Sequence, residues 1–448
     1  MSGRGKKIPV IGGGSAGGFP SAHTAKRFYR DAKVSIIEKE EKTLVPCGIP
    51  YIFGTLSSID EDLFKVDYEK YGIELMAGEK VDEIKRGEKK VRTEKGREIG
   101  YDKLVLATGS RSIMPPIENS DLENVFIIEK DYEHTKRVLD GLRGKKKIVL
   151  VGGGFVGVEL GDELRKREYD VTVVEVLPHC LQLVFDDEFC ELVENKLREI
   201  GVKLQTGRKI ERMLGKKKVE GVELDDGTKM DADAVIITVG TKKNVELAKE
   251  AGLKVDDTFG VKVDEYQRTS DEDIFAVGDC AYKFSFFTKK PSSVMLASVA
   301  SMEARIAGAN LFKPVRKNIG VIGTCSTAIR DTAFGVAGLT EKAAKEEGIR
   351  YIVGNATIPD KHPPAMPGMT RIKMKFLFEE EEGEIIGAQL CGSHIVGELA
   401  NMVTLAIENR MTIDEVATFP AATHPCITAP PAFYHLTQAA EDARMKIK

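Results

Sequence analysis

The sequence predicts an α/β protein in which two Rossmann-like nucleotide-binding domains precede a C-terminal α+β domain. Two observations lead to this prediction. The glycine pattern GxGxxG occurs twice, each time after a short apolar stretch, and each copy is followed by a second apolar stretch that ends in a glutamate. Strand, glycine turn, helix, strand and acid in this order are typical of a βαβ unit that binds a dinucleotide.

The first copy predicts a βαβ unit over residues 7–38. Its first glycine makes the tight turn between strand and helix, the second lets the backbone approach a pyrophosphate, and the third lets the helix pack on the strand. The pyrophosphate then lies on N–H groups at the positive end of the helix, and the acid binds ribose hydroxyls. The residues assigned to this nucleotide are Gly12, Gly14, Ala16, Gly17, Glu38 and Lys39.

The second copy predicts another βαβ unit over residues 147–175. A single GxGxxG would be weak evidence, because 43 of the 448 residues are glycine. Two copies with strand, helix and acid in the same order are far more specific. The residues assigned to the second nucleotide are Gly152, Gly154, Gly157 and Glu175.

The remaining elements extend this plan. Buried strands over residues 103–107 and 234–239 each end in a glycine turn, and a third buried strand over 273–277 stops at a Gly-Asp pair. A helix is predicted over 294–312. From about residue 323 onward, the pattern predicts an α+β domain, with strands at 334–338, 351–358, 371–378 and 384–390 and helices near 340–347, 394–409 and 412–417.

The bulk properties exclude several classes of function. The length suggests roughly three domains, and a net charge of −4 provides no basic field for nucleic acid. No apolar run reaches membrane-spanning length and no signal-peptide pattern is present, so we expect a cytoplasmic protein. Seven cysteines with scattered spacing and no CxxC argue against a disulfide framework or a structural zinc site.

One cysteine stands out by its position. Cys47 follows the first acid, Glu38, by nine residues. Two nucleotide sites in one chain suggest two cofactors that exchange electrons, and Cys47 would be the next acceptor. A thiol reacts as its thiolate, and residues 48–51 are predicted to open a helix whose dipole lowers the pKa of that thiol.

The order of these motifs resembles that of the FAD-dependent pyridine nucleotide–disulfide oxidoreductases over essentially the whole chain. Within that family, the segment from Cys47 to Tyr51 is similar to the single-cysteine branch of coenzyme A disulfide reductases, persulfide or polysulfide reductases, and NADH oxidases and peroxidases. Two-cysteine members carry Cys-x4-Cys, and the second position is Ile52 here. Residues 323–324 and 332–340 resemble the start of the branch's dimerisation domain.

The resemblance implies FAD at the first site and NADH at the second. Thr108, Gly109 and Asp279 would line the FAD site, Glu159 would lie near the flavin–nicotinamide contact, and Gly240 is a further cofactor-binding candidate. For Glu159 the alternative is a carboxylate that simply faces the helix dipole. A carboxylate at Glu175 repels a 2′-phosphate and favours NADH, with NADPH left open. The implied domains are FAD-binding (1–115 and 250–322), NAD(P)H-binding (116–249) and dimerisation (323–448), in a homodimer or higher homo-oligomer.

Two further segments receive roles from the resemblance. His424 lies in a segment similar to the one that supplies an acid–base histidine from the partner subunit in two-cysteine reductases, although Ala429 replaces the glutamate of that motif. The alternative is a turn histidine at a subunit contact. Neighbouring Cys426 is a candidate second redox thiol.

The basic pair at the end of the first helix also has two interpretations. Lys26 and Arg27 align with residues that contact coenzyme A phosphates in the branch, or else complement the helix dipole. Residues 361–368 are predicted to form a loop on the substrate side of the last domain.

The leading hypothesis is an NAD(P)H-dependent flavoenzyme that reduces low-molecular-weight disulfides, persulfides or polysulfides through FAD and Cys47. The first alternative is an NADH oxidase or peroxidase, in which Cys47 cycles through sulfenic acid. A flavin-binding redox sensor with little turnover is a second alternative, which two intact nucleotide motifs disfavour. A ferredoxin or rubredoxin reductase is a third, but such relatives usually lack a cysteine at this place.

Overall fold

The computed structural model describes residues 5–447 of the chain. The protein divides into two compact units, each made of separate stretches of sequence. The first unit comprises the chain up to Pro116, Phe126–Gly144 and Val239–Val321, and the second comprises Ile117–Val125, Lys145–Thr238 and the chain from Ile322 onward. The predicted α/β class with two nucleotide-binding folds and a C-terminal α+β region is confirmed.

A five-stranded parallel sheet organises the first unit. Its three inner strands are mainly apolar and buried because both faces are covered. Helices α1 (Gly18–Phe28) and α6 (Ala297–Asn310) pack on one face, and a small antiparallel sheet covers the other. The strand order is Ile274–Ala276, Leu104–Leu106, Lys7–Ile11, Lys33–Glu38 and Ile73–Ala77.

The second unit contains two five-stranded sheets. The first has four parallel strands, in the order Lys203–Thr206, Asp170–Glu175, Lys147–Val151 and Ala234–Ile237, and its edge strand begins at Val125, the last residue of the stretch Ile117–Val125. The second is antiparallel, in the order Thr324–Ile329, Thr332–Gly338, Ile385–Gly392, Arg371–Glu379 and Tyr351–Pro359.

The remaining helices connect and cover these sheets. They are α2 (Tyr132–Leu142), α3 (Phe155–Lys166), α4 (Asp187–Glu199), α5 (Glu246–Glu250), α7 (Glu341–Glu346), α8 (Val396–Glu408), α9 (Ile413–Thr418) and α10 (His435–Arg444). Short 3-10 helices occupy Ile49–Phe53, Ile59–Asp62, Glu69–Tyr71, Arg86–Glu88, Gly278–Cys280 and Pro431–Phe433. Among the described residues, no helix combines the length and apolar character needed to cross a membrane.

Smaller antiparallel sheets complete both units. Lys90–Thr93 pairs with both Val81–Lys85 and Glu98–Gly100, and Gly221–Leu224 pairs with both Ile210–Leu214 and Lys229–Asp231. Three two-stranded sheets pair Ser110–Ser112 with Thr241–Lys243, Val255–Asp256 with Gly260–Val261, and Lys283–Phe284 with Pro291–Ser292.

The predicted elements of the last domain agree with the observed ones to within a few residues, and two were missed. The strand Thr324–Ile329 consists mostly of small and polar residues, and the buried face of helix α10 is made mainly of alanines, so neither carries a strong apolar signal. The helix expected after Cys47 is a five-residue 3-10 helix, Ile49–Phe53, which Gly54 ends.

Candidate active site

The first glycine turn leaves open space beside the start of α1. Gly12 has a φ of +100°, and a Cβ there would lie 2.3 Å from the carbonyl oxygen of Ala107. A Cβ at Gly14 would meet no atom within 4 Å, and no side chain caps the N-terminus of α1. An uncapped helix start beside an open cradle fits a dinucleotide pyrophosphate.

In this copy, the helix residue that packs so closely on the turn that only glycine fits is Gly18. A Cβ at Gly18 would lie 1.8 Å from the carbonyl oxygen of Gly12, whereas a Cβ at Gly17 would meet Ala107 at an ordinary 3.6 Å. Sequence reasoning missed Gly18 because it follows the last glycine of the GxGxxG pattern. The adjacent pair Gly17-Gly18 was the signal that could have identified it.

The second glycine turn repeats this geometry in the other unit. Gly152 has a φ of +109°, and a Cβ at Gly157 would lie 1.9 Å from the carbonyl oxygen of Gly152. A Cβ at Gly154 would again meet nothing within 4 Å, and α3 begins without a side-chain cap. This turn therefore fits a second dinucleotide.

Each acid lies beneath its own glycine turn. Glu38 accepts hydrogen bonds from the backbone N–H groups of Gly13 and Glu40. In the second copy Glu175 accepts from Gly153 at 2.5 Å and from Leu177 at 2.7 Å. Both carboxylates are buried. Lys39, beside the first acid, is exposed and forms an ion pair with Glu40 at 2.9 Å.

Three separate segments meet around Asp279. Thr108 donates from its hydroxyl to the carbonyl oxygen of Asn244 at 2.8 Å, and Asn244 donates its side-chain amide back to the Thr108 carbonyl at 2.8 Å. Ser110 donates to Asp279 at 2.7 Å, and Lys130 lies 3.2 Å from the same oxygen. Burial alone would raise the pKa of Asp279, but Lys130 and Ser110 outweigh it and hold the pKa below its usual value.

Of this cluster, the sequence identified Thr108, Gly109 and Asp279. Gly109 has a φ of +67° and its carbonyl accepts from the N–H of Asn244 at 2.9 Å. The partners Asn244, Ser110 and Lys130 lie far from Asp279 in sequence and carried no motif. Gly240, at the end of a matching strand, has a φ of +62° and lies against Ile113.

Cys47 is exposed at the surface of the first unit, in a tight turn that directly precedes the 3-10 helix Ile49–Phe53. The turn closes through the N–H of Gly48 and the carbonyl of Val45, 2.8 Å apart. Beneath it lies Asp62, whose Oδ1 would be 1.7 Å from a Cβ at Gly48. Asp62 is buried, its Oδ2 has no hydrogen-bond partner among the described residues, and burial raises its pKa to about 6.

Most of the other cysteines are less exposed than Cys47. Burial raises the pKa of Cys180, Cys190 and Cys325 to about 12 and that of Cys391 to about 11. Cys426 is exposed. Because the thiolate is the reactive form, chemistry in solution is favoured at the exposed thiols over these four.

Glu159 is half-buried on α3. Its Oε1 accepts a hydrogen bond from the hydroxyl of Thr327 at 2.9 Å. Burial raises the pKa of Glu159 to about 7, with the Thr327 bond as an opposing effect. The side chain thus joins the helix after the second glycine turn to the first strand of the antiparallel sheet.

The C-terminal loop and the 361–368 loop, both in the second unit, lie together. The imidazole Nδ1 of His362 lies 3.0 Å from the carbonyl oxygen of Thr428, and the backbone N–H of His362 donates to the carbonyl oxygen of Pro425 at 3.1 Å. His424 and Cys426 are exposed, and the N–H of Cys426 donates to Nδ1 of His424 at 3.2 Å.

The basic pair of α1 separates into two environments. Lys26 donates to the carbonyl oxygen of Ala32 at 2.8 Å and so stabilises the turn that follows the helix. This bond favours a structural role for Lys26 over a contact with coenzyme A phosphates. Arg27 is exposed at the same helix end.

Comparison with known proteins agrees with this geometry. The model of the pyridine nucleotide-disulphide oxidoreductase family matches residues 6–304, and that of the family's dimerisation domain matches residues 324–431. An NADH oxidase of Methanocaldococcus jannaschii is 32% identical over 98% of both chains. An NAD(P)H coenzyme A polysulfide/persulfide reductase of Pyrococcus horikoshii is 31% identical over 92% of this chain and 93% of the relative.

Among solved structures, the NAD-dependent persulfide reductase from A. fulgidus superimposes with a TM-score of 0.91 at 32% identity. The match covers 98% of this chain and 83% of that one. The likeness therefore extends over both glycine turns, the Cys47 segment and the antiparallel sheet.

Proposed function

The chain belongs to the pyridine nucleotide-disulphide oxidoreductase family, and from this premise we propose that it uses FAD and NAD(P)H to reduce low-molecular-weight disulfides, persulfides or polysulfides at Cys47. The observation that carries this proposal is the exposed thiol of Cys47, with Ile52 where a two-cysteine reductase has its second thiol. With Ile52 at that position, the disulfide that Cys47 forms would be with sulfur from the substrate.

FAD, when bound, supplies two-electron transfer between nicotinamide and sulfur. Its pyrophosphate would lie on the turn from Gly12 to Gly17, with Glu38 and Lys39 at the adenosine end. Asp279 would accept hydrogen bonds from the ribityl chain, and Thr108 and Gly109 would shape the crossing between segments. NADH would lie on the turn from Gly152 to Gly157, with Glu175 at its adenosine ribose and Glu159 nearer the nicotinamide. Gly240 stays a further cofactor-binding candidate.

The sulfur chemistry takes place at Cys47. Its thiolate attacks one sulfur of the substrate, a disulfide forms between Cys47 and that sulfur, the substrate S–S bond breaks, and the departing thiolate takes up a proton. An electron pair that originates in NADH, together with one proton, then reduces the Cys47 disulfide to a thiol product and the Cys47 thiolate. The two steps consume one NADH and one proton for each disulfide.

The proton for the departing thiolate would come from His424 of a second copy in a homodimer. The match of residues 324–431 to a dimerisation domain supports this assembly. The FAD-binding, NAD(P)H-binding and dimerisation domains would then be 1–115 with 250–322, 116–249, and 323–448. Cys426, beside His424, would be placed to accept a sulfur or a mixed disulfide.

Coenzyme A persulfides or disulfides are the favoured substrate class. The P. horikoshii relative is named for coenzyme A polysulfide and persulfide reduction. The exposed guanidinium of Arg27 suits a phosphate, whereas the hydrogen bond of Lys26 to Ala32 makes its ammonium less available.

An NADH oxidase is the second candidate, because the M. jannaschii relative that matches 98% of this chain carries that name. In that reaction Cys47 would alternate between thiolate and sulfenic acid, with oxygen or peroxide as the acceptor in place of a disulfide.

The deciding experiment is an anaerobic titration of the yellow protein with NADH, followed by rapid mixing with coenzyme A disulfide, polysulfide, peroxide or oxygen. Cys47→Ser is compared with wild type, and Cys426→Ser shows whether the second exposed thiol takes part in the reaction. Fast reoxidation by a sulfur substrate that is lost in Cys47→Ser supports the reductase. If oxygen or peroxide reoxidises the flavin fastest and sulfur substrates are inert, the protein is an oxidase or peroxidase.

A further inference from the structure

Charged side chains are buried directly beneath the turn that carries Asp279. Lys283 and Glu303 are both 0% exposed and lie 3.2 Å apart, and Lys243 is 5% exposed. Burying charges is costly unless they are paired and hydrogen-bonded. These three side chains therefore need hydrogen-bond partners at this buried position.

Each of these three side chains also forms a hydrogen bond with the backbone of that turn. Glu303 accepts from the N–H of Gly278 at 2.8 Å. Lys283 donates to the carbonyl oxygens of Gly278 and Ala281, and Lys243 donates to the carbonyl of Asp279 at 2.9 Å. Gly278 has a φ of +73°. The N–H and the carbonyl oxygen of Gly278, and the carbonyl oxygen of Asp279, are thus hydrogen-bonded to buried charged side chains.

The same arrangement reaches the first glycine turn. Glu303 lies on α6, and Ser301, two residues earlier on that helix, donates to the carbonyl oxygen of Ala16 at 3.0 Å. The helix therefore contacts both the pyrophosphate turn and the Asp279 turn.

The attraction between the two buried charges does not by itself explain why the pair is there. The second carboxylate oxygen of Glu303 has no hydrogen-bond partner among the described residues, and burial raises the pKa of Glu303 to about 6. Replacing a buried ion pair with apolar side chains of similar volume is often neutral or stabilising. Such a replacement would leave the polar groups of Gly278 without partners.

We infer that Lys243, Lys283 and Glu303 are positioning residues for FAD, which hold the Gly278–Asp279 turn so that the Asp279 carboxylate is presented to the cofactor. The inference rests on the proposed role of Asp279. It adds three residues that carry no motif and that act through backbone bonds rather than by touching the cofactor.

The test is FAD affinity, measured by fluorescence as FAD is returned to the apoprotein, together with the flavin midpoint potential. The double variant Lys283→Met/Glu303→Leu removes both charges at once. Its control is Lys103→Met/Asp273→Leu, a pair 2.6 Å apart at the opposite end of the strand Ile274–Ala276. We expect at least a tenfold increase in the FAD dissociation constant and a shifted potential for the first pair only.

Equal FAD affinity in the two double variants would overturn the inference. If the first double variant fails to fold, Lys243→Met is compared with Lys242→Met, its exposed neighbour. A several-fold loss of FAD affinity in Lys243→Met alone supports the inference, and matching affinities overturn it.

Asp279→Asn separates this inference from the proposed function. If Asp279→Asn binds FAD as wild type does, the cofactor role of Asp279 itself fails. If Asp279→Asn binds FAD weakly while the buried-charge variants bind it normally, only the positioning inference fails.

Discussion

The carboxylate of Glu175 accepts a hydrogen bond from the backbone N–H of Gly153 at 2.5 Å, across 22 residues of chain. The acid at the end of the second strand therefore supports the glycine turn in addition to any contact with a ribose. Removing Glu175 would disturb the turn itself, so coenzyme preference is better tested at its neighbour.

Val176→Arg is expected to raise the kcat/KM for NADPH about tenfold, the effect of one charge-assisted hydrogen bond of about 1.5 kcal/mol to the 2′-phosphate. Val176 is 62% exposed, so an arginine fits there without loss of packing. Steady-state kinetics with NADH and NADPH measure the change. Leu183→Arg, at another exposed apolar position of the same unit, is expected to leave the ratio unchanged.

Gly18→Ala and Gly14→Ala are expected to fail in different ways. A Cβ at Gly18 would lie 1.8 Å from the Gly12 carbonyl oxygen, and such overpacking destabilises a fold by about 1–3 kcal/mol. A Cβ at Gly14 meets no protein atom within 4 Å, so Gly14→Ala should melt normally and bind FAD weakly. Thermal unfolding of the apoprotein and FAD titration separate the two, and a normal Gly18→Ala melting curve would contradict the packing argument.

Asp62→Asn is expected to speed alkylation of Cys47 about threefold at pH 7, which corresponds to a decrease of about half a unit in the thiol pKa. The Asp62 carboxyl lies against Gly48 and, with a pKa of about 6, is mostly ionised at that pH. A nearby negative charge disfavours the thiolate. Iodoacetamide kinetics in a Cys426→Ser background give the rate.

The control for Asp62 is Glu69→Gln, which removes an exposed carboxylate in the same region of the first unit. Its alkylation rate should equal that of the parent. An Asp62→Asn rate equal to the parent rate would show that this carboxyl does not influence Cys47.

Glu159→Gln is expected to flatten the dependence of stability on pH between about 5 and 8. The pKa of Glu159 is raised to about 7 by burial, so the folded state binds a proton more tightly than the unfolded state. That contribution is fully present below about pH 4.5 and is lost as the pH rises through 7. The variant should therefore gain stability relative to wild type at pH 8.

Thermal unfolding at several pH values measures this effect of Glu159. Glu191→Gln, an exposed carboxylate on α4, should follow the wild-type profile. Parallel profiles for Glu159→Gln and wild type would mean that Glu159 titrates normally in the folded protein.

The sequence predicted the features that short stretches of chain determine. Strand, glycine turn and helix are neighbours, so Gly12, Gly152 and their acids could be located from spacing alone. Lys283 and Glu303, by contrast, meet Gly278 only because α6 packs on the sheet, and neither has a pattern that distinguishes it from a surface residue. Asn244 and Ser110 are similarly brought to Thr108 and Asp279 by the fold.

The helix expected after Cys47 is present only as a short 3-10 helix, and the reason is local. Pro50 lies in the first turn, Gly54 ends the segment, and Gly48 lies against Asp62. The result is one short 3-10 helix, so a helix dipole cannot be a strong cause of thiolate formation there.

The paired bonds of Glu38 and Glu175 have a consequence for how the cofactors arrive. Each turn is fastened by its own protein groups, to Gly13 and Glu40 in one copy and to Gly153 and Leu177 in the other. Little backbone freedom is then left to lose when a dinucleotide docks, so the entropic cost of association is low. The apoprotein should keep both glycine turns in the same conformation and should rebind FAD quickly after the flavin is removed.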